Sequence, residues 1–535
     1  MAIGLGYWAG NAGFAYAAPL LSTINADLGP DPNVQWVALV HPVGLTVGMT
    51  IIGRLGDLFG RRWFFICGAF MAMAGTLISA LAVNVDMLIG GAMIKALAAS
   101  TQLSCYYALA ELMPAKYRYA NVAILNVFQI PGSIFAPAIS ASITRSAGTW
   151  RSVFYLLTAV NTASMLCYFF FYHPPTFHQK HGMREKRITF IKQFDYAGTF
   201  LYAVGVVFFL LGMSWGGGKY PWRSPEVISF ITIGGVSLIV FVLWECLAPL
   251  KEALVPLNLF KNRYWVVSST LSGISAGVYY AGAIIWPPLV TAFYANGSVM
   301  KGAYLACLGG AGIILGGVVG GILAKPLGHQ KLQATFTAGA GGALLACLAI
   351  KSPDHMALTC CLFFFASFLI GYLADISLTN ALLSLKDQRE IGAAGGAATS
   401  VRTLVAAICQ VVYSVVLANK KAQYVPAHVI PAVTSAGLPK SSIKPLLSAL
   451  STGSSAAWKA VPGLTPSIQR VAIKANLMGL TQSYQVVWLT TIAFSVIGVM
   501  LGLLSPNTEK LLTNKVAARL DNAKIRADDT PDTKV

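Results

Sequence analysis

The sequence predicts an all-α polytopic membrane protein with about fourteen spanning helices, and three observations carry that prediction. Hydrophobic residues make up 56% of the 535, only 11% are charged, and the mean hydropathy is +0.66. A soluble domain of this size needs far more charge on its surface. The apolar residues gather into runs of about 20, the length that crosses a bilayer. Lys and Arg fall between these runs with a consistent side bias. With the N-terminus inside, the inner connections hold Arg54, Arg61, Arg62, Lys116, Arg118, Arg184, Lys192, Lys261, Arg263, Lys325 and Lys331, among others. The short outer connections hold only Arg145, Arg151, Lys219, Arg223, Lys301 and Lys351. That asymmetry places both termini in the cytoplasm. The net charge of +19 is spread among the connections rather than gathered into one stripe, so it reads as topology and anionic lipid, with no nucleic acid partner.

In chain order the runs cover 2–21, 35–53, 63–83, 88–112, 121–143, 151–172, 196–215, 226–247, 264–292, 301–323, 332–350, 357–380, 392–417 and 484–504. The first has no charged n-region and no cleavage site, so it reads as a span rather than a signal peptide. The segment 173–195 is basic, contains prolines, and separates the first six runs from the rest. The outer connection 418–483 is rich in Ser, Ala, Pro and Lys, and fits either a lid over the outer mouth or a floppy connector. The tail 505–535 reads as partly helical, then disordered. Asn296 opens an N-x-S sequon in a short outer loop, a glycosylation candidate. All nine cysteines lie within or at the ends of apolar runs, which excludes a disulfide framework and a Cys/His metal site. No cofactor is implied. Nor is an enzyme: there is no His/Asp/Glu cluster, no P-loop and no nucleophile beside a base.

Polar residues inside spanning helices are costly and line a cavity or pair with each other. Lys95, Asp375 and Arg402 are such residues, and an Asp375–Arg402 pair is the alternative to a cavity for the last two. Helical spacing puts Lys95, Ala99, Gln102 and Tyr106 on one face of the fourth run, and Asn126, Gln129, Ser133 and Pro137 on one face of the fifth. Ser272, Ser275, Tyr279, Gly282 and Trp286 share a face of the ninth, and Asn11 lies near Trp8 in the first. These stripes predict either a shared wet interior or interhelical hydrogen bonds that glue the bundle. The glycines of the tenth run, Gly309 to Gly321, predict close packing. Pro131 and Pro137, and the pair Pro287–Pro288, predict bends or breaks.

The connection from Gly53 to Arg62 reads G-R-L-G-D-L-F-G-R-R. Gly53 and Gly56 permit close approach and Gly60 a tight turn, while Asp57 can face unpaired N–H groups or a cation. With Arg61 and Arg62 this pattern resembles the loop 2–3 signature of the major facilitator superfamily. Gly132 and Pro137, within Pro131–Pro137, are similar to the fifth-helix signature of its antiporters, with Ala136 in place of a glycine. Trp150–Tyr155 resembles the entry to the sixth helix in the fourteen-helix drug:proton antiporter family. Thr23–Gly29, Glu111–Arg118, Phe194–Gly198, Ser214–Trp222 and Val255–Phe260 are similar to its trichothecene efflux pump branch.

The resemblance implies two six-helix bundles, 1–172 and 264–504, a cytoplasmic linker at 173–195, and two inserted helices within 196–263. It implies alternating access, with Asp57 and the arginines latching the halves at the cytoplasmic face of the plasma membrane. A substrate and proton pathway then runs past Asn11, Lys95, Gln102, Tyr106, Asn126, Gln129, Tyr279, Trp286, Asp375 and Arg402. The arginine that many proton antiporters carry in the fourth helix falls on Ala92, and no acid stands in the first helix, so Asp375 is the expected proton carrier. The partners expected are a small lipophilic substrate, protons and membrane lipid, acting on a functional monomer. Export of a lipophilic fungal metabolite, toxin or drug is the leading reading. Siderophore-iron uptake is the nearest alternative, and a non-transporting receptor the alternative of another class.

Overall fold

The computed structural model describes residues 2–29, 31–174, 187–217, 220–250, 253–256, 258–351, 355–385, 391–452 and 458–513. Eleven of its helices are long and apolar enough to cross a membrane. The other three predicted spans are broken. The first divides into α1 (Ala2–Ala15), a 3-10 turn (Ala18–Leu20) and α2 (Leu21–Leu28). After α3 (Trp36–Phe59) and α4 (Arg62–Ala80), the fourth span is divided at Ser104 into α5 (Val85–Leu103) and α6 (Cys105–Leu112). The fifth becomes α7 (Arg118–Phe128), a π turn (Ile130–Ile134) and α8 (Ala136–Ala147). Pro131 and Pro137 force that last break, since neither can donate to the ladder.

Four elements complete the middle of the chain: α9 (Arg151–Phe171), α10 (Arg187–Gln193), α11 (Tyr196–Trp215) and α12 (Pro225–Leu247). Side-chain caps set their starts: the Asp195 carboxylate accepts from the Gly198 N–H at 2.8 Å, and Ser224 from Val227. A short α13 (Asn258–Lys261) leads into α14 (Arg263–Tyr294), α15 (Val299–Leu327), α16 (Gln330–Lys351) and α17 (Met356–Leu383). The pair Pro287–Pro288 does not break α14, which runs through both. Neighbouring helices support such prolines: the Trp286 indole on this turn donates to the Leu305 carbonyl of α15 at 2.8 Å.

The last elements are α18 (Ile391–Ser435), α19 (Ile443–Thr452) and α20 (Pro466–Leu504). Among the described residues the connection 418–483 is largely helical. It extends α18 and α20 well past their spanning parts and closes on its own core of Val429, Val433, Leu446, Val461, Ile468 and Ala472. The spacing 425, 429, 433 on α18 and 468, 472, 475 on α20 gives each extension an apolar stripe to bury.

Helices α1 to α9 pack into one half and α14 to α18 with α20 into the other. Helices α11 and α12 pack on each other, and α11 reaches both α3 and α18 through Val43, Val206, Leu210 and Ala407. The pair thus buttresses the seam. The glycine-rich face of α15 packs on both sides: a Cβ at Gly310 would lie 2.5 Å from the Ser133 carbonyl oxygen, and one at Gly312 2.6 Å from that of Phe364. Of the linker 173–195, residues 175–186 lie outside the described residues, as do 514–535 of the tail. The described start of the tail docks on the helices: Thr508 bonds Tyr119 at 2.7 Å and Asn380 at 3.2 Å.

Candidate functional site

Two features meet at the seam between the halves, a clasp and a cavity. The clasp is built on the turn from α3 to α4. Gly60 takes a left-handed φ of +85°, which a side chain would strain, and so returns the chain sharply. Asp57 is still within α3, which runs on to Phe59, rather than in the connection that hydropathy draws from Gly53. One carboxylate oxygen accepts from Arg61 Nη2 at 3.1 Å, and the other from the Ala393 N–H at 2.6 Å. Ala393 lies in the first turn of α18, where N–H groups have no helical acceptor and the helix dipole favours an anion. The bond therefore ties the first half to the second. Arg61, only 4% exposed, also donates to Glu111 at 2.5 Å and to the Ser104 carbonyl at 3.3 Å, while Arg62 donates to the Phe169 carbonyl. Gly53 explains itself by distance: a Cβ there would lie 2.5 Å from the Gly392 carbonyl oxygen.

Above the clasp runs a ladder of bonds that cross the seam. Thr46 bonds Thr403 at 2.8 Å, Thr50 bonds Ser400 at 2.6 Å, and Tyr107 bonds Thr399. Tyr106 bonds Thr379 at 2.9 Å, and the Asn126 amide donates to Asp375 at 2.6 Å. Helical spacing alone already puts Thr399 on one face of α18 with Gly395, Arg402 and Ala406, and Thr379 on one face of α17 with Asp375. Ser400 and Thr403 carry no such signal beyond the run of small residues from Gly392 to Ser400.

The cavity opens beside this ladder. Seven of the expected pathway residues line it: Asn11, Tyr106, Asn126, Gln129, Tyr279, Asp375 and Arg402. It adjoins a second, more apolar cavity lined by Phe14, Pro137, Trp286, Phe363 and Trp488. Trp286 stacks on Phe363 there at 3.9 Å. Asp375 and Arg402 face the same space without forming an ion pair; Asp375 spends its carboxylate on Asn126 instead.

Two expected residues lie elsewhere. Lys95 is buried inside the first half, its stem against Gly13 and its ammonium 5.2 Å from the Phe154 ring centre. Gln102 donates to Asn161 at 2.7 Å within the same half. The helix ladder runs on through Ser104, and the cavity side of this span is the face of Leu103, Tyr106 and Tyr107, at spacings of three and four. Lys95 and Gln102 lie round the helix from that face and pack within the first half, so the stripe drawn across 95–106 is centred too far round. Gly132 makes room for the Trp8 indole, which a Cβ would overlap, so Trp8 is a packing residue rather than a cavity wall. Asn296 is exposed in the turn between α14 and α15. Among the described residues no group of His, Cys, Asp and Glu is arranged to hold a metal.

The chain matches the family model of the fungal trichothecene efflux pump (TRI12) over residues 7–534. It is similar to the trichothecene efflux pump TRI12 of Trichoderma arundinaceum, 27% identical over 96% of this chain and 86% of that one. Its fold is similar to that of the human organic anion transporter MFSD10 (TM-score 0.55, 10% identity, covering 92% of this chain and 98% of that one). It is also similar to that of XylE, a proton:xylose symporter of the major facilitator superfamily (TM-score 0.53, 16% identity, 80% of this chain and 89% of that one). Both solved structures speak for the fold alone. With a seam-spanning cavity between two helical halves and a family model matched over nearly its whole length, the chain belongs to the fungal trichothecene efflux pump family of the major facilitator superfamily, whose members are membrane transporters and not enzymes.

Proposed function

We propose that this protein exports a lipophilic fungal metabolite, toxin or drug in exchange for protons, by alternating access, as a monomer in the plasma membrane with both termini in the cytoplasm. The observation that carries this reading is the cavity between the halves, bounded at the Gly53–Arg62 end by bonds that must break for it to open there. In this reading the clasp of Asp57, Arg61 and the α18 N-terminus holds the cytoplasmic side shut. Asp375 carries the proton. Its bond from Asn126 crosses the seam, and a carboxylate accepts more strongly than a carboxylic acid. Proton uptake therefore weakens one tie between the halves, which couples protonation to their separation. The aromatic second cavity suits an apolar body.

Everted vesicles test this. Labelled trichothecene accumulates in proportion to an imposed pH gradient, and a protonophore abolishes the accumulation. Movement of a labelled ferric siderophore without movement of the toxin replaces export by uptake, and binding without flux makes the protein a receptor. Asp375→Asn is expected to bind the toxin and to lose the pH dependence of flux. An unchanged pH profile in that variant moves the proton site elsewhere.

A further inference from the structure

We infer that the cavity is built for amphipathic molecules ending in a carboxylate or a comparable single anionic group, seated on Arg402; this rests on the transporter reading above. Arg402 lines the cavity, and no described residue accepts a hydrogen bond from its guanidinium, whose Nε is sealed from solvent without a partner. A guanidinium is a donor only and matches a carboxylate in a fork of two parallel bonds. The one acid on the cavity wall, Asp375, is already engaged by Asn126. Tyr7, Tyr279 and Tyr280 line the same space, and no hydrogen bond joins their phenol hydroxyls to another described residue. Among the described residues Arg402 is the one cation on this wall, and an occupant with an anionic end supplies the acceptor its guanidinium lacks. Tyr279 also lines the adjoining apolar cavity, so a molecule with its anionic end at Arg402 can extend its hydrocarbon body toward Trp286 and Phe363.

The test compares two probes of equal shape, abietic acid and its methyl ester, binding to the purified full-length protein at a pH where the acid is ionised. The acid is expected to bind at least about tenfold more tightly, the scale of one charge-assisted bond. Arg402→Gln is expected to bring the acid down to the level of the ester while leaving the ester unchanged, and Arg402→Lys to keep most of the preference. Equal binding of acid and ester by the unaltered protein overturns the inference and leaves export standing, since a lipophile still occupies the cavity. Failure of both probes to bind overturns the inference together with the role given to this cavity. The comparison on the unaltered protein decides the matter even if Arg402→Gln does not fold.

Discussion

Asp57 makes one bond within its own half, to Arg61, and one across the seam, to the Ala393 N–H. Removing its charge leaves the shape and takes away both charge-assisted bonds, a loss of about 1.5–3 kcal/mol for a bond to a charged group. Asp57→Asn should therefore insert normally while its closed state loses about tenfold to a hundredfold in population, read as increased labelling of a cysteine placed at Thr399. Unchanged labelling removes the clasp argument. Lys95 makes the opposite case. Buried against Gly13 and Phe154, away from the cavity, it should be replaceable by Met without a change in substrate affinity; a raised KM in Lys95→Met would put it back on the pathway. On the far connections, Asp27 accepts from the Trp150 indole at 2.8 Å and from Arg151 at 3.1 Å, and these bonds hold its carboxyl below the usual range. A lowered folded value means the staple stabilises above the unfolded carboxyl range and is lost as pH falls through the folded one. The Tm difference between the unaltered protein and Asp27→Asn should accordingly be largest near neutrality and shrink in acid.

At the scale of the helix, close approach decides more than charge. A Cβ at Gly53 would lie 2.5 Å from a backbone oxygen of α18, and backbone cannot turn aside. Gly53→Ala should thus pry α3 from α18 and slow transport even though every polar bond of the clasp is retained; full flux in this variant would show that the helices have room to shift. Such contacts also mark where sequence reading stops. The spans were legible because lipid demands long apolar runs, and Asp375 and Arg402 because a charge in such a run is expensive. The partner of Asp57 was not, since a backbone N–H more than three hundred residues away carries no side-chain signature. Nor was the side that each polar residue of the fourth span takes: Leu103, Tyr106 and Tyr107 line the cavity while Lys95 and Gln102 pack within the first half, and spacing alone does not say which neighbour covers which face.

For the whole molecule the seam is the unit that must work. Thr46 and Thr403 touch through their hydroxyls at 2.8 Å across it. With both replaced by cysteine in a background lacking the native thiols, oxidation should staple the halves and stop flux, and a reductant should restore it. Flux that survives oxidation would mean the halves do not part along α3 and α18.

The 45 residues of α18 and the 39 of α20 are each single helices. At about 1.5 Å per residue they run roughly 60–70 Å, twice the hydrocarbon thickness of about 30 Å. Helix α18 carries on from the seam, through Pro426 and Pro431, and α20 from the second half, into the lobe around Val429 and Leu446. A tilt of the second half is thereby geared up toward the tip, much as a mast magnifies the roll of its hull. A dye on exposed Lys444, paired with one on exposed Val83 of the other half, should turn each turnover into a change in energy transfer.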